Sequence, residues 1–255
     1  MFLHASTIYG PLSTRRLGNS LGINLLPAKR KVCNFECIYC ECGWTDTAVK
    51  DRTPTLKEFS AELERKLSEL TQTGATIDHI TFAGNGEPTL HPSFEEIIET
   101  TIGLRNRYYP EARIAVLSNA TRIQHPKVFY ALKRIEDRIL KLDAGSEAMF
   151  QLIDMPEKGI TLDRITDDLK KFNGDVIIQT LFLRGVFKGK TVDNTTESEI
   201  NAWLDRLRRI QPRRVMIYSI DRETPVENLN KISKTELQNI AELLKQNNFT
   251  AEFYA

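Results

Sequence analysis

The sequence predicts an α/β fold built on parallel strands, and three observations carry that prediction. Six apolar runs of strand length recur along the 255 residues, a helical pattern follows each of them, and polar residues gather at the carboxyl ends of the runs. Strict alternation of strand and helix implies parallel strands joined by right-handed crossovers, as an open doubly wound sheet or as a barrel, complete or partial. Either form puts a site at the carboxyl ends of the strands.

The first strand is read at Ser20–Leu26, where a short apolar run ends at Pro27. Thr55 then caps a helix in which Leu56, Phe59, Leu63, Leu67 and Leu70 recur at helical spacing, and Gly74 ends it. The second strand, Ile77–Ala83, breaks into Gly84-Asn85-Gly86-Glu87-Pro88, after which Ser93 caps a helix beginning at Phe94. Four more runs follow: Arg113–Leu117, Arg138–Leu142, Asp175–Phe182 and Arg214–Ile220. Their helices are Pro126–Lys133, then Glu147–Ile153 with Leu162–Phe172, then Glu197–Ile210 and Lys234–Asn247. Asn85, Glu87, Ser118, Asn119, Asp143, Asp221 and Arg222 stand at strand ends. Gln179 lies inside a strand, where an unpaired polar side chain is costly unless it is directed into a site.

Hydrophobic residues at 41% and charged residues at 27% mark an ordinary globular chain rather than a disordered or membrane protein. Thirty-five basic against 34 acidic residues leave a formal charge of +1, so no global field draws the chain to nucleic acid or anionic lipid. The short basic runs Arg15-Arg16 and Lys29-Arg30-Lys31 read as solvated loop charges. With no signal-peptide pattern and no membrane-length apolar run, the expected location is the cytoplasm. In that reducing compartment, four cysteines within ten consecutive residues suit a metal site better than disulfides.

Those cysteines form Cys33-x3-Cys37-x2-Cys40, with Tyr39 just before the third and Cys42 two residues after it. Three thiolates on a four-iron cube leave one iron open to a non-protein ligand. The competing reading is a structural zinc site using all four, in a non-catalytic RNA-binding protein. The spacing disfavours it, because zinc usually draws paired ligands from two separated knuckles. Cys42 is read as a small buried residue rather than a ligand.

The cysteine pattern with its aromatic residue, Gly84-Asn85-Gly86-Glu87 after the second strand, and six β/α units together resemble the radical SAM superfamily. The resemblance implies a partial (β/α)6 barrel as a single domain over residues 1–255. It implies a [4Fe–4S] cluster on Cys33, Cys37 and Cys40, with S-adenosylmethionine chelating the open iron and being reductively cleaved to a 5′-deoxyadenosyl radical that abstracts hydrogen. Gly84, Asn85, Gly86 and Glu87 would lie at the methionine end of that ligand. Ser118, Asn119 and Asp143 would meet its ribose or carboxylate, and Ser219, Ile220 and Tyr39 its adenine. An electron donor such as flavodoxin or ferredoxin is implied as partner.

Within the superfamily, the chain over most of its length, through the segments Pro11–Pro27, Gly84–Pro92, Lys141–Gly145 and Tyr218–Pro225, resembles the branch that includes wyosine-type tRNA-modifying synthases. Those synthases bind a second cluster through cysteines upstream of the radical SAM loop, whereas the first cysteine here is Cys33. Three substrate classes stay open: an RNA nucleoside, a peptide or protein residue, and a small metabolite. No cluster of general acids or bases singles out a catalytic residue.

Overall fold

A computed structural model describes residues 2–255. It opens with an antiparallel hairpin, β1 (Ile8–Thr14) and β2 (Gly18–Ile23), and continues through α1 (Leu56–Gln72), β3 (His79–Phe82), α2 (Phe94–Tyr108), β4 (Arg113–Ser118), α3 (Pro126–Lys133) and β5 (Asp137–Lys141). Then come α4 (Glu147–Ile153), α5 (Leu162–Lys170), β6 (Ile177–Phe187), β7 (Lys190–Asp193), α6 (Glu197–Ile210), β8 (Arg214–Ser219), β9 (Leu229–Lys231), α7 (Lys234–Gln246) and β10 (Ala251–Tyr254). The sheet order is β1-β2-β3-β4-β5-β6-β8-β10, with every pair from β2 to β10 parallel. The end strands β1 and β10 do not pair, so the barrel is partial.

Alternation along each strand sorts the residues onto two faces. Outward-facing Ile80, Phe82, Ile114, Val116, Leu140, Ile178, Val215 and Ile217 join Leu63 and Leu67 of α1, Ile97 of α2 and Trp203 and Leu207 of α6 in the main core. Inward-facing Ala115, Ile139, Ile177 and Met216 surround Leu17, which the turn of the first hairpin inserts as a plug. Two residues further along their strands stand Lys141, Gln179 and Tyr218, so a polar layer lies above an apolar floor.

The six expected strands and their helices are present. The first strand ends at Ile23 rather than Leu26, because the Asn24 side chain accepts from Leu26 N at 3.2 Å and donates to Leu26 O at 3.0 Å, turning the chain. Thr55 and Glu58 form the capping box of α1, and Gly74 follows its last turn at φ +68°. Ser93 precedes α2 without a side-chain cap bond. Strands β1, β7, β9 and β10 were not expected: β7 and β9 pair antiparallel with the overhanging end of β6 and form a small second sheet beyond the barrel.

Candidate active site

Between β2 and α1 the chain runs without helix or strand, and three clamps fix its course. Val32 pairs with Gly86 in a parallel bridge, with Val32 N donating to Asn85 O at 2.8 Å and Glu87 N to Val32 O at 3.0 Å. Ile38 N donates to Ile153 O at 2.9 Å and Glu157 N to Asn34 O at 2.9 Å, tying the loop to the end of α4. The turn after β3 and the segment after α4 thereby set the backbone that carries the cysteines.

Cys33, Cys37, Cys40 and Cys42 all line one cavity of about 220 Å³ at the carboxyl ends of β3 to β6. Gly84, Gly86, Glu87, Ser118, Asn119 and Tyr39 face it as well. Phe35 N donates to Cys33 Sγ at 3.4 Å and Asn119 Nδ2 at 3.7 Å. Burial pushes the Cys33 thiol up to about 12, whereas a hydrogen bond from Cys42 pulls Cys40 down to about 6. Cys42 is half-buried, lines the cavity and donates to Gly84 O at 3.5 Å, so the expectation of a core cysteine is corrected.

Lys31 overturns a second expectation. Its side chain is 1% exposed, with Nζ donating to Glu36 Oε2 and Gly43 O, each at 3.2 Å. Burial opposes its charge, but the facing Cys40, Cys33 and Cys37 sulfurs and the Glu36 carboxylate hold its pKa above the ordinary value. Sequence shows only a basic run here; the burial follows from the loop folding over the ammonium.

Glu87 is 2% exposed and already well served by its own chain. Oε1 accepts from Ser118 Oγ at 2.8 Å, Thr89 N at 3.1 Å and Thr89 Oγ1 at 2.5 Å, and Oε2 accepts from Asn119 N at 2.6 Å. Burial raises its pKa in spite of these donors. Three residues expected at the ligand are thus joined into one polar seat across the ends of β3 and β4. The glycines also have a different immediate cause from close ligand approach: a Cβ on Gly86 would meet Val32 O at 1.9 Å, and one on Gly84 would meet Asn24 Oδ1 at 2.5 Å.

Asn85 points away from the cavity. Its buried amide donates to Pro27 O at 2.8 Å and His4 O at 2.9 Å and accepts from His4 N at 2.8 Å, pinning the N-terminal segment. Asp143, expected near a ribose, is buried among Tyr39 Oη, Lys141 Nζ and Leu181 N. Lys141 also reaches Asp154 at 3.2 Å, and Cys37 Sγ donates to Asp154 Oδ1 at 3.4 Å. Burial lifts the Asp154 carboxyl up to about 7. Ser219 Oγ donates to Phe182 O at 2.7 Å and accepts from Ile232 N at 2.8 Å. Ser219 and Ile220 border a neighbouring cavity of about 520 Å³, which shares Tyr39, Cys40 and Tyr218 with the cysteine cavity.

Residues 31–193, which hold the cysteine loop, the glycine turn and the polar strand ends as far as Asp143, match the radical SAM superfamily. The chain belongs to that superfamily. A UPF0026 protein of Helicobacter pylori strain J99 is 30% identical over 234 residues, covering 90% of this chain and 71% of that protein. A Brachyspira hyodysenteriae protein named GTPase Obg is 27% identical over 250 residues, covering 96% of this chain but only 34% of its own length. Among solved structures, a radical SAM methyltransferase from Sphaerobacter thermophilus superposes with a TM-score of 0.67 at 14% identity, over 92% of this chain and 65% of that one. Native anSMEcpe with bound AdoMet gives 0.59 at 16%, over 91% and 63%. These likenesses bear on the fold, while the sequence match makes this radical SAM protein an enzyme whose cofactors are a [4Fe–4S] cluster and S-adenosylmethionine. That sets aside the non-catalytic zinc reading. The match stands at the level of the superfamily. No described helix is long and apolar enough to cross a membrane.

Proposed function

We propose that Cys33, Cys37 and Cys40 hold the [4Fe–4S] cluster and that the polar seat at Gly84–Glu87, Ser118 and Asn119 borders the S-adenosylmethionine. The observation that carries this reading is the meeting of three cysteines and the glycine turn around one cavity, through the Val32–Gly86 bridge. The donor set fits the group: two N–H donors aim at Cys33 Sγ, and a buried ammonium faces the sulfurs, as a negatively charged thiolate cluster requires. When bound, the cluster supplies one electron to cleave S-adenosylmethionine into methionine and a 5′-deoxyadenosyl radical that abstracts hydrogen from the substrate.

The chain's own residues orient and enclose. Val32 and Gly86 hold the cysteine loop against the strand ends; Phe35 N and Asn119 Nδ2 steady Cys33; Lys31 offsets sulfur charge; Tyr39, through Asp143, makes a wall between the two cavities. Asn85, Asp143 and Ser219 serve as supports for these walls. Enzymes of this superfamily need a reductant, and a flavodoxin or ferredoxin fits that role here. The substrate is proposed from three classes: an RNA nucleoside, a peptide or protein residue, or a small metabolite.

The test is anaerobic reconstitution with iron and sulfide, reduction with dithionite, and chromatographic assay for 5′-deoxyadenosine. The expected result is formation by the wild type, loss in Cys33→Ala, Cys37→Ala and Cys40→Ala, and retention of the cluster in Cys42→Ala. A colourless wild type that makes no 5′-deoxyadenosine overturns the reading.

A further inference from the structure

Arg16 differs from the other cations that border the two cavities. Arg15 pairs with Asp221 at 2.7 Å, Arg222 with Glu41 at 2.6 Å, and Lys141 with Asp143 and with Asp154. Arg16 is half-buried and, among the described residues, has no carboxylate within ion-pair distance. One of its nitrogens donates to Gln179 Oε1 at 3.1 Å, and its guanidinium lies over the Tyr218 ring, 4.6 Å from the centroid. Neither partner neutralises it. Withdrawing a guanidinium from water without a counter-charge is costly, and the cost is offset when a ligand supplies the anion.

The surroundings form a built receptor. Leu17, locked in the apolar floor, fixes the turn that carries Arg16, while Gln179 and the Tyr218 face fix the plane of its fork. The free edges of a guanidinium held this way suit bidentate contact with a carboxylate or phosphate. Arg16 borders the larger cavity together with Tyr39, Cys40, Tyr218, Ile220 and Tyr254. That cavity, about 520 Å³, falls within the range of small-molecule pockets. Arg16 does not line the cysteine cavity, but Gln179 and Tyr218, which it touches, do.

We propose that Arg16 anchors an oxyanion, carboxylate or phosphate, on a small-molecule substrate held in the larger cavity, with the reacting part of that molecule directed across Tyr218 toward the cysteines. This assignment rests on the reading of the cysteine cavity as the S-adenosylmethionine site. It gives a role to Arg16 and Gln179, which take no part in the polar seat at Gly84–Glu87, Ser118 and Asn119.

The test titrates the reconstituted, S-adenosylmethionine-loaded holoenzyme with inorganic phosphate and, separately, with acetate, by calorimetry. Formation of 5′-deoxyadenosine is assayed on the same wild-type sample. Saturable binding of either anion, weakened at least about tenfold in Arg16→Gln and kept in Arg15→Gln, is the expected result. The tighter of the two anions names the group the substrate carries. Absence of anion binding in a wild type that cleaves S-adenosylmethionine overturns this proposal alone, as does displacement of S-adenosylmethionine by the anions. A wild type that binds no cluster fails the underlying reading instead.

Discussion

Gly86 lies so close to Val32 that a Cβ on it would sit 1.9 Å from the Val32 carbonyl oxygen, at a φ of +129°. The backbone before the first cysteine and the turn after β3 are therefore in direct contact. Gly86→Ala must move one of them and force a disfavoured conformation, at a cost of about 2–4 kcal/mol. Both melting temperature and reconstituted iron per chain are expected to fall. Gly103→Ala, on an exposed helical site with nothing within 4 Å, is the control and is expected to gain about 0.5–1 kcal/mol. Equal iron content in wild type and Gly86→Ala would argue that the contact does not govern the loop.

Lys31 puts a positive charge beside the proposed cluster ligands. Replacing it with Met removes that charge, and the more negative reduced state loses more than the oxidised state. The midpoint potential of the cluster is expected to drop by on the order of 60 mV, a tenfold shift for one electron. A redox titration followed by electron paramagnetic resonance reads it directly, and an unchanged potential would count against the ammonium's part in setting it.

At the opposite end of the barrel, Asp137 accepts from Arg113 Nε at 2.7 Å, from a terminal nitrogen of Arg213 at 2.9 Å, and faces His79 Nε2 at 3.1 Å. Burial works against the charge, but the His79 and Arg113 hydrogen bonds hold the carboxyl well below its usual range. A depressed folded-state pKa contributes stability that is complete above the unfolded value, about 3.9, and is lost as pH falls toward the folded one. Wild-type stability should thus decline steeply below about pH 4, while Asp137→Asn should begin about 3–5 kcal/mol lower at neutral pH and decline less. Denaturant melts across that range test both parts.

Asn85 holds His4 through two hydrogen bonds and Pro27 through a third. Asn85→Ala is expected to cost about 2–3 kcal/mol and to release the amide of His4 to fast hydrogen exchange. Continued protection of that amide would mean that other contacts hold the segment.

Much of this was legible in the sequence because it is periodic or local. The six β/α units follow from apolar spacing, the start and end of α1 from Thr55 and Gly74, and the shared cavity of the cysteines from their place in one short loop. What escaped depends on partners distant in the chain. Strand β10 is four half-buried residues without alternation, and β7 and β9 exist only because β6 overruns the barrel. Asn85 and Asp143 were read at the ligand because strand ends usually face it, yet His4, Pro27, Tyr39 and Lys141 take their side chains. Gln179, polar inside a strand, accepts from Arg16 far earlier in the chain.

The plug at Leu17 touches Ala115, Ile139, Ile177 and Met216, one residue from each of β4, β5, β6 and β8. The hairpin precedes all four of these strands in the chain, so it is made before any of them, and its seat is complete only once Met216 has followed it. The turn is thus held in reserve until the last of the four strands is made, which makes closure of the barrel floor a late event in the folding of this sheet.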